Sequence, residues 1–354
     1  MQERIEARAQ QAITEQVFPG CVVGVGTPEA HHIFPVGYLT YDRQVPVEAD
    51  TIYDIASVTK KVANSCSLLT LVDKGQVALE DPVAKYLPEF GNSAGKESVT
   101  VWHLLTYTLD LEVPAASSLK DRSPEEIIEV MVQAPLRCPP GERVLYTNST
   151  AILRGLVFER AAGVSLDKFT AEYFYWPLGM LSTSFYPEQW DQDRIAPTEI
   201  DDWRGREIRG EVHDECTYTL QQGGYYLGAA GLFSTVRDLL TFMIMLLNGG
   251  EYEGGRYFSP DLVKAMHSDQ LPDLNRSMGL GWDLNSKFKM GGLSSDQVFG
   301  HSGFTGSMVQ ADPIKNIAVV TLSNRTYPRR PPDTEAINQF RRDIADIVFE
   351  QSAL

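Results

Sequence analysis

Apolar positions recur at helical spacing near the start of the chain, where Ile5, Ala9, Ala12 and Ile13 fall on one face of residues 3–17 and Pro19-Gly20 ends the pattern. Two β-type runs follow, Cys21 to Gly26 and His32 to Leu39, separated by a turn at Thr27-Pro28-Glu29. A strand-like approach over residues 51–56 leads into Ser57, after which Val58, Val62, Cys66, Leu69 and Val72 repeat every three or four residues until Lys74-Gly75. That spacing predicts a long, half-buried helix. From about residue 80 to 225 the pattern breaks into short helices, such as Pro124 to Val132 and Thr150 to Arg160, joined by Pro-rich loops. Beyond it lie a strong helix at Val236 to Leu247, ended by Asn248-Gly249-Gly250, and strand runs at Ser307 to Ala311 and Ile317 to Leu322 flanking a hairpin connection at residues 312–316. A final amphipathic helix, Thr334 to Glu350, carries Ile337, Phe340, Ile344 and Ile347 or Val348 on one face.

Because strand signals occur only near the two ends, the simplest architecture is α/β, of the α+β kind. A mostly antiparallel sheet flanked by helices uses both termini, about 1–60 and 226–354, and a mainly helical lobe uses about 61–225. Residues 1–354 then form one domain.

Composition narrows the partners. With 31 Lys plus Arg against 47 Asp plus Glu, the net charge of -16 opposes phosphate backbones and anionic lipid, so neither nucleic acid nor a membrane surface is an expected partner. The nearest basic patch, Arg325, Arg329 and Arg330, is interrupted by prolines. No run of roughly 18 apolar residues is present to span a bilayer. The segment Met1 to Gln16 is polar and lacks an apolar signal core, which implies a cytoplasmic, reduced protein. Cys21, Cys66, Cys138 and Cys216 show no metal-ligand spacing and read as buried free thiols, so no metal or other cofactor is expected.

Candidate chemistry begins with Ser-x-x-Lys, since three residues of helix place an amine beside a hydroxyl and let it take the proton during attack on a carbonyl. Five matches occur, starting at Ser57, Ser93, Ser117, Ser165 and Ser286. Only Ser57-Val58-Thr59-Lys60 follows a strand and opens a long amphipathic helix, whose free N-H donors favour developing negative charge. An ordinary helix-capping serine is the competing reading. A lysine at its usual pKa of about 10.4 is a poor base at neutral pH, so a second proton-transfer group is wanted. Tyr146-Thr147-Asn148 is the single Tyr-x-Asn, after a Pro139-Pro140-Gly141 turn and before a helix, so Tyr146 and Asn148 suit a cleft wall. Near the end, His301-Ser302-Gly303-Phe304 enters a strand through small residues that allow close approach of a substrate. Lys289-Met290-Gly291 competes, but ranks lower because it sits in a Gly-rich polar loop with no strand after it.

These elements, in this order, resemble the serine β-lactamase and penicillin-binding-protein superfamily, particularly class C β-lactamases and their esterase and D-peptidase relatives. The likeness extends to residues 228–235 with Asp238-Leu239, to Gly279-Leu280-Gly281-Trp282 and to Leu322-Ser323-Asn324-Arg325. It implies a serine hydrolase in which Ser57 forms an acyl-enzyme and Lys60 and Tyr146 share the proton transfers. Asn148 would bond the substrate amide or hold Lys60, and the N-H groups of Ser57 and Phe304 would form the oxyanion hole. His301 stands where β-lactamases and transpeptidases of this kind have lysine; a neutral imidazole holds a carboxylate less firmly, which favours a small-molecule carboxylesterase, then a D-amino-acid peptidase, then a β-lactamase. Leu104 to Asp110 also departs from the family pattern, which shows His-Thr-Ser-Gly after the leucines and threonine. A non-catalytic acyl-binding or scaffold protein is the alternative from another class.

Weaker candidates are His213-Asp214-Glu215, read as a loop bordering the cleft in preference to a metal site or charge relay, and Tyr225, Tyr226, Trp282 and Phe304 as pocket aromatics for which core packing is an equal reading. His31-His32 reads as structural.

Overall fold

The computed structural model describes residues 1–92, 95–115, 118–274 and 276–351. Its centre is a six-stranded antiparallel sheet built from β1 (Gly20–Gly26), β2 (His31–Gly37), β3 (Asp283–Leu284), β4 (Phe299–Ser302), β5 (Met308–Asp312) and β6 (Ile317–Ser323). The order across the sheet is β2-β1-β6-β5-β4-β3, so the two ends of the chain meet at the β1–β6 pair, with Val22 opposite Leu322. At the hairpin joining β5 to β6, Asp312 Oδ1 accepts from the N-H of Ile314 and Lys315, and Asn316 takes φ 54°, a left-handed conformation asparagine tolerates.

One face of the sheet is covered by α1 (Gln2–Thr14), which buries Ile5, Ala9, Ala12 and Ile13, and by the C-terminal helix Glu335–Gln351, which buries Ile337, Phe340, Ile344 and Val348. The apolar helix Val236–Leu247 packs on the other face. Its approach explains Gly24, where a Cβ would lie 2.3 Å from Val236 Cγ1. The core beneath that helix is continuous with the helical region: Val22, Val62, Leu153, Leu240 and Trp282 belong to one apolar cluster.

Several local expectations are corrected. Strand structure is not confined to the ends, because Glu199–Asp201 pairs with Arg206–Ile208 in a ribbon too short and too charged to show a period. The segment after Ser57 is not a uniform α-helix: a short 3-10 turn, Ala56–Val58, leads into a π-helical stretch at Lys60–Ser65 and then an α-helix at Cys66–Asp73. Within that stretch the Lys60 carbonyl accepts from Arg154 Nη2 at 3.0 Å. Cys138 is partly exposed, whereas Cys21, Cys66 and Cys216 are buried; all four are free thiols.

Candidate active site

The site is assembled where the strand-like segment Tyr53-Asp54, paired with Phe233-Ser234, turns into the helical run. Asp54 Oδ1 accepts the Ala56 N-H at 2.7 Å and its Oδ2 accepts the His213 N-H at 2.7 Å. Held this way, Ala56 adopts φ 47°, a conformation that costs a non-glycine residue about 1 kcal/mol or more and persists only where its surroundings fix it. Ser57 follows directly. It does not cap the helix: Ile55 occupies the N-cap, and no side chain makes a capping bond there.

Lys60 is fully buried, with Nζ 3.0 Å from Ser57 Oγ, and it donates a second bond to the Ala229 carbonyl. Burial pulls its pKa down to about 7, aided by the positive charges of Arg154 and Lys61 and opposed by Asp214. An amine so placed can be neutral near physiological pH and take the Ser57 proton. Below its pKa the ammonium has no lone pair to accept with. Turnover of an ester such as p-nitrophenyl acetate is therefore expected to rise with pH through about 7 and level off above it. A kcat/KM profile flat from about pH 5 to 9 would contradict this role.

Tyr146 closes the other side. It lines the same cavity as Ser57, its hydroxyl lies 3.2 Å from His301 Nε2, and its ring lies 5.3 Å from Lys60 Nζ. Burial drives its pKa up, so it holds its proton in the resting site. Behind it, Tyr107 fills the loop that departs from the family pattern; the two rings lie 5.3 Å apart, and Tyr107 itself takes φ 56° at the end of the helix Val101–Thr106.

Asn148 begins the helix Asn148–Ala162, and its Nδ2 donates to Asp214 Oδ2 at 3.2 Å. It lines a second cavity, of about 260 Å³, and not the one over Ser57. Lys60 is instead held by the Ala229 carbonyl.

His301 and Ser302 end β4, and the chain then turns through Gly303 and Phe304 beside Ser57. A Cβ on Gly303 would lie 2.1 Å from Ser307 Oγ and 2.4 Å from the Ile55 carbonyl, so only glycine lets this turn pass against the segment that carries Ser57. Arg341 ties the turn down from the C-terminal helix, donating to the Gly303 and Ser307 carbonyls at 2.7 and 3.0 Å. Among the described residues the backbone N-H groups of Ser57 and Phe304 have no acceptor, which leaves both for an oxyanion. Ser57, Tyr146, His301, Ser302, Gly303 and Phe304 line one cavity of about 350 Å³.

Its floor holds residues the sequence pattern did not single out. Asp283, 2% exposed, is met by Lys289 at 3.0 Å, His301 Nδ1 at 3.1 Å, Lys61 at 3.4 Å and Arg276 at 3.8 Å. Burial alone would raise its pKa, but His301, Lys289 and Lys61 outweigh that and hold the carboxyl well below the usual range. Burial lowers the His301 pKa to about 3 against the pull of Asp283, so the imidazole is neutral. Lys289, ranked below His301 from the sequence, is part of the site: a short helix, Lys287–Met290, turns it inward, where it is 6% exposed and reaches Ser302 Oγ at 3.2 Å. Arg154 supports the back of the site, bonding Asn64 Oδ1, the Leu104 and Lys60 carbonyls and the Tyr107 hydroxyl.

The remaining candidates lie elsewhere. Ser165 precedes the helix Leu166–Thr170, and Ser93 and Ser117 fall outside the described residues. Asp214 caps the helix Glu215–Gln222, accepting from the Thr217 N-H, while His213 Nε2 meets Glu199 at 2.7 Å and its ring stacks on Phe304. Among the described residues no group of three or more His, Cys, Asp or Glu side chains is arranged to hold a metal ion. Trp282 is core, and Tyr225 and Tyr226 pack against the large apolar cluster, so of the four aromatics only Phe304 lines the Ser57 cavity. The arginines of the basic patch are engaged: Arg329 with Asp202, Arg330 with Glu199 and Glu215, and Arg325 with the Phe304 carbonyl. No helix among the described residues is long and apolar enough to cross a membrane.

Comparison with known proteins agrees with this geometry. The profile of the family described as Beta-lactamase matches residues 5–342. A protein of Escherichia coli (strain K12), provisionally named a D-alanyl-D-alanine carboxypeptidase, is 31% identical over 320 residues, covering 82% of this chain and 73% of that protein. Among solved structures, the octameric penicillin-binding protein homologue from Pyrococcus abyssi superposes with a TM-score of 0.72 at 25% identity, over 95% of this chain and 75% of that one. EstCE1, a hydrolase with promiscuous acyltransferase activity, superposes at 0.76 with 21% identity, over 97% and 98% of the two chains, a likeness of fold. With a profile match over nearly its whole length, the chain belongs to the β-lactamase family and is a serine hydrolase.

Proposed function

We propose that the protein cleaves small esters or amides through an acyl-enzyme on Ser57, with carboxylesterase-type activity as the leading reading. The observation that carries it is the contact between Ser57 Oγ and the buried Lys60 amine at 3.0 Å, with Tyr146 lining the same cavity. In the first step Lys60 takes the Ser57 proton as Oγ bonds to the carbonyl carbon, and the oxyanion is received by the N-H groups of Ser57 and Phe304. As the tetrahedral adduct collapses, Tyr146 delivers a proton to the leaving group and recovers one from Lys60. Water then attacks the acyl-enzyme by the same route in reverse roles. The ester reading is favoured by His301, whose neutral ring offers no fixed charge to a substrate carboxylate.

A second reading, a D-amino-acid peptidase, is favoured by the cations around the cavity. Arg276, Lys289 and Arg341 line it against the single carboxylate of Asp283, an excess of positive charge suited to a peptide carboxyl terminus. The relative from Escherichia coli carries a name of that kind. The test is a substrate panel: p-nitrophenyl esters of increasing acyl length, N-acyl-D-alanyl-D-alanine and nitrocefin. Ester turnover well above the other two supports the leading reading, preference for the dipeptide supports the second, and fast nitrocefin turnover would overturn both in favour of a β-lactamase.

A further inference from the structure

The two ring nitrogens of His301 face opposite ways. Nε2 lies 3.2 Å from the Tyr146 hydroxyl, and Nδ1 lies 3.1 Å from Asp283 Oδ2, with both side chains at most 4% exposed. The approach of Nδ1 to the carboxylate is bent away from full hydrogen-bond geometry, and among the described residues Nδ1 has no other polar partner. A neutral imidazole carries its proton on one nitrogen and a lone pair on the other. A lone pair on Nδ1 at 3.1 Å from an ionised oxygen would be repelled strongly in so poorly screened a site. Asp283 is kept ionised by Lys289 at 3.0 Å and Lys61 at 3.4 Å. The proton therefore belongs on Nδ1, and Nε2 is left as an acceptor for the phenol.

The geometry points to Asp283 as a positioning residue that fixes the His301 tautomer whose Nε2 accepts the hydrogen bond of the Tyr146 hydroxyl, and so sets the direction in which the Tyr146 oxygen offers its lone pair within the Ser57 cavity. This rests on the reading of Ser57 as nucleophile. His301 stays neutral throughout, and Lys60 remains the acceptor of the Ser57 proton. As the tetrahedral adduct collapses, the Tyr146 hydroxyl gives its proton to the departing group and its oriented lone pair takes one back from Lys60, so the ring acts only by holding the phenol. The arrangement follows the logic by which a buried aspartate orients a histidine in hydrolases of unrelated fold, with a tyrosine interposed before the serine.

Two readouts test it. In protein labelled with 15N-histidine, the His301 signal, identified by its loss in His301→Gln, is expected to show Nδ1 protonated and Nε2 bare. Asp283→Asn, whose amide can donate to Nδ1, is expected to move the proton to Nε2. The same substitution is expected to lower kcat on p-nitrophenyl acetate by roughly 10²-fold or more, with KM changed little, and to cost almost nothing further once His301 is already Gln. Should Asp283→Asn fold poorly because Lys61 and Lys289 lose their counter-charge, the wild-type tautomer alone decides. A wild-type ring protonated on Nε2, or losses that simply add in the double variant, would overturn the proposal. A wild type with the expected tautomer that turns over no ester and forms no Ser57 adduct would overturn the nucleophile reading beneath it.

Discussion

Replacing Ser57 with alanine is expected to lower ester turnover by roughly 10⁴-fold or more, to the level that binding and oxyanion contacts sustain without a nucleophile. The fold should hardly notice. Ser57 caps nothing, its N-H is not tied into the helix, and the hydrogen bond its hydroxyl makes among the described residues is the one with Lys60, a group proposed to handle its proton. Removal of such a hydroxyl belongs with substitutions that change stability by about 0.5 kcal/mol or less. Activity and stability should thus separate cleanly: turnover gone, urea midpoint unmoved. A variant that keeps more than a tenth of wild-type turnover would show that another group attacks the substrate.

The second large effect is on stability. Arg154 is fully buried and forms no ion pair with a carboxylate among the described residues; its charge is met by the Lys60 and Leu104 carbonyls, Asn64 Oδ1 and the Tyr107 hydroxyl. Arg154→Leu would strand these acceptors without water, and each hydrogen bond to a charged group is worth about 1.5–3 kcal/mol. Relief of the buried charge offsets part of that sum, leaving an expected loss of about 3 kcal/mol or more, read as a lower urea midpoint at unchanged slope. Arg154→Lys should recover little, because one ammonium cannot reproduce the fork that spans four acceptors. Since the Arg154 charge helps depress the Lys60 pKa, any folded Arg154→Leu protein should also show its acid limb shifted above about 7. A loss under about 1 kcal/mol would contradict this account of the site's back wall.

What could be read from the sequence, and what could not, follows from the range of the interactions. Ser57 and Lys60 are one turn apart, so their contact is local and the spacing alone predicts it. Tyr146 and His301 were reachable because each lies in a short motif at a change of backbone type, and their order along the chain matches a known family. Arg154 lies in the middle of an ordinary helix pattern, and its four acceptors come from two distant segments, so no local signal marks it. Lys61 looks like a solvated neighbour of Lys60, yet its side chain is fully buried beside Asp283 and Tyr107. Lys289 was set aside for lack of a following strand; the tether that matters precedes it, at Asp283 on β3. One signal for Asp283 was present. It precedes Leu284 on β3, where successive side chains point to opposite faces, so a core leucine sends its neighbour the other way, toward the cleft. The π-helical stretch after Lys60 was not legible either, since Val58, Val62, Cys66, Leu69 and Val72 keep the spacing of an ordinary helix through it.

The central claim is that Ser57 carries the acyl group, and the most direct measurement is intact-mass and peptide-level mass spectrometry after rapid quench with a slowly deacylating ester, or after reaction with a fluorophosphonate. The account predicts a single adduct of the reagent's acyl or phosphonyl mass, located on Ser57, formed faster as pH rises through about 7 and absent from Ser57→Ala. Turnover of ester with no adduct on Ser57, or an adduct placed on any other residue, would contradict it.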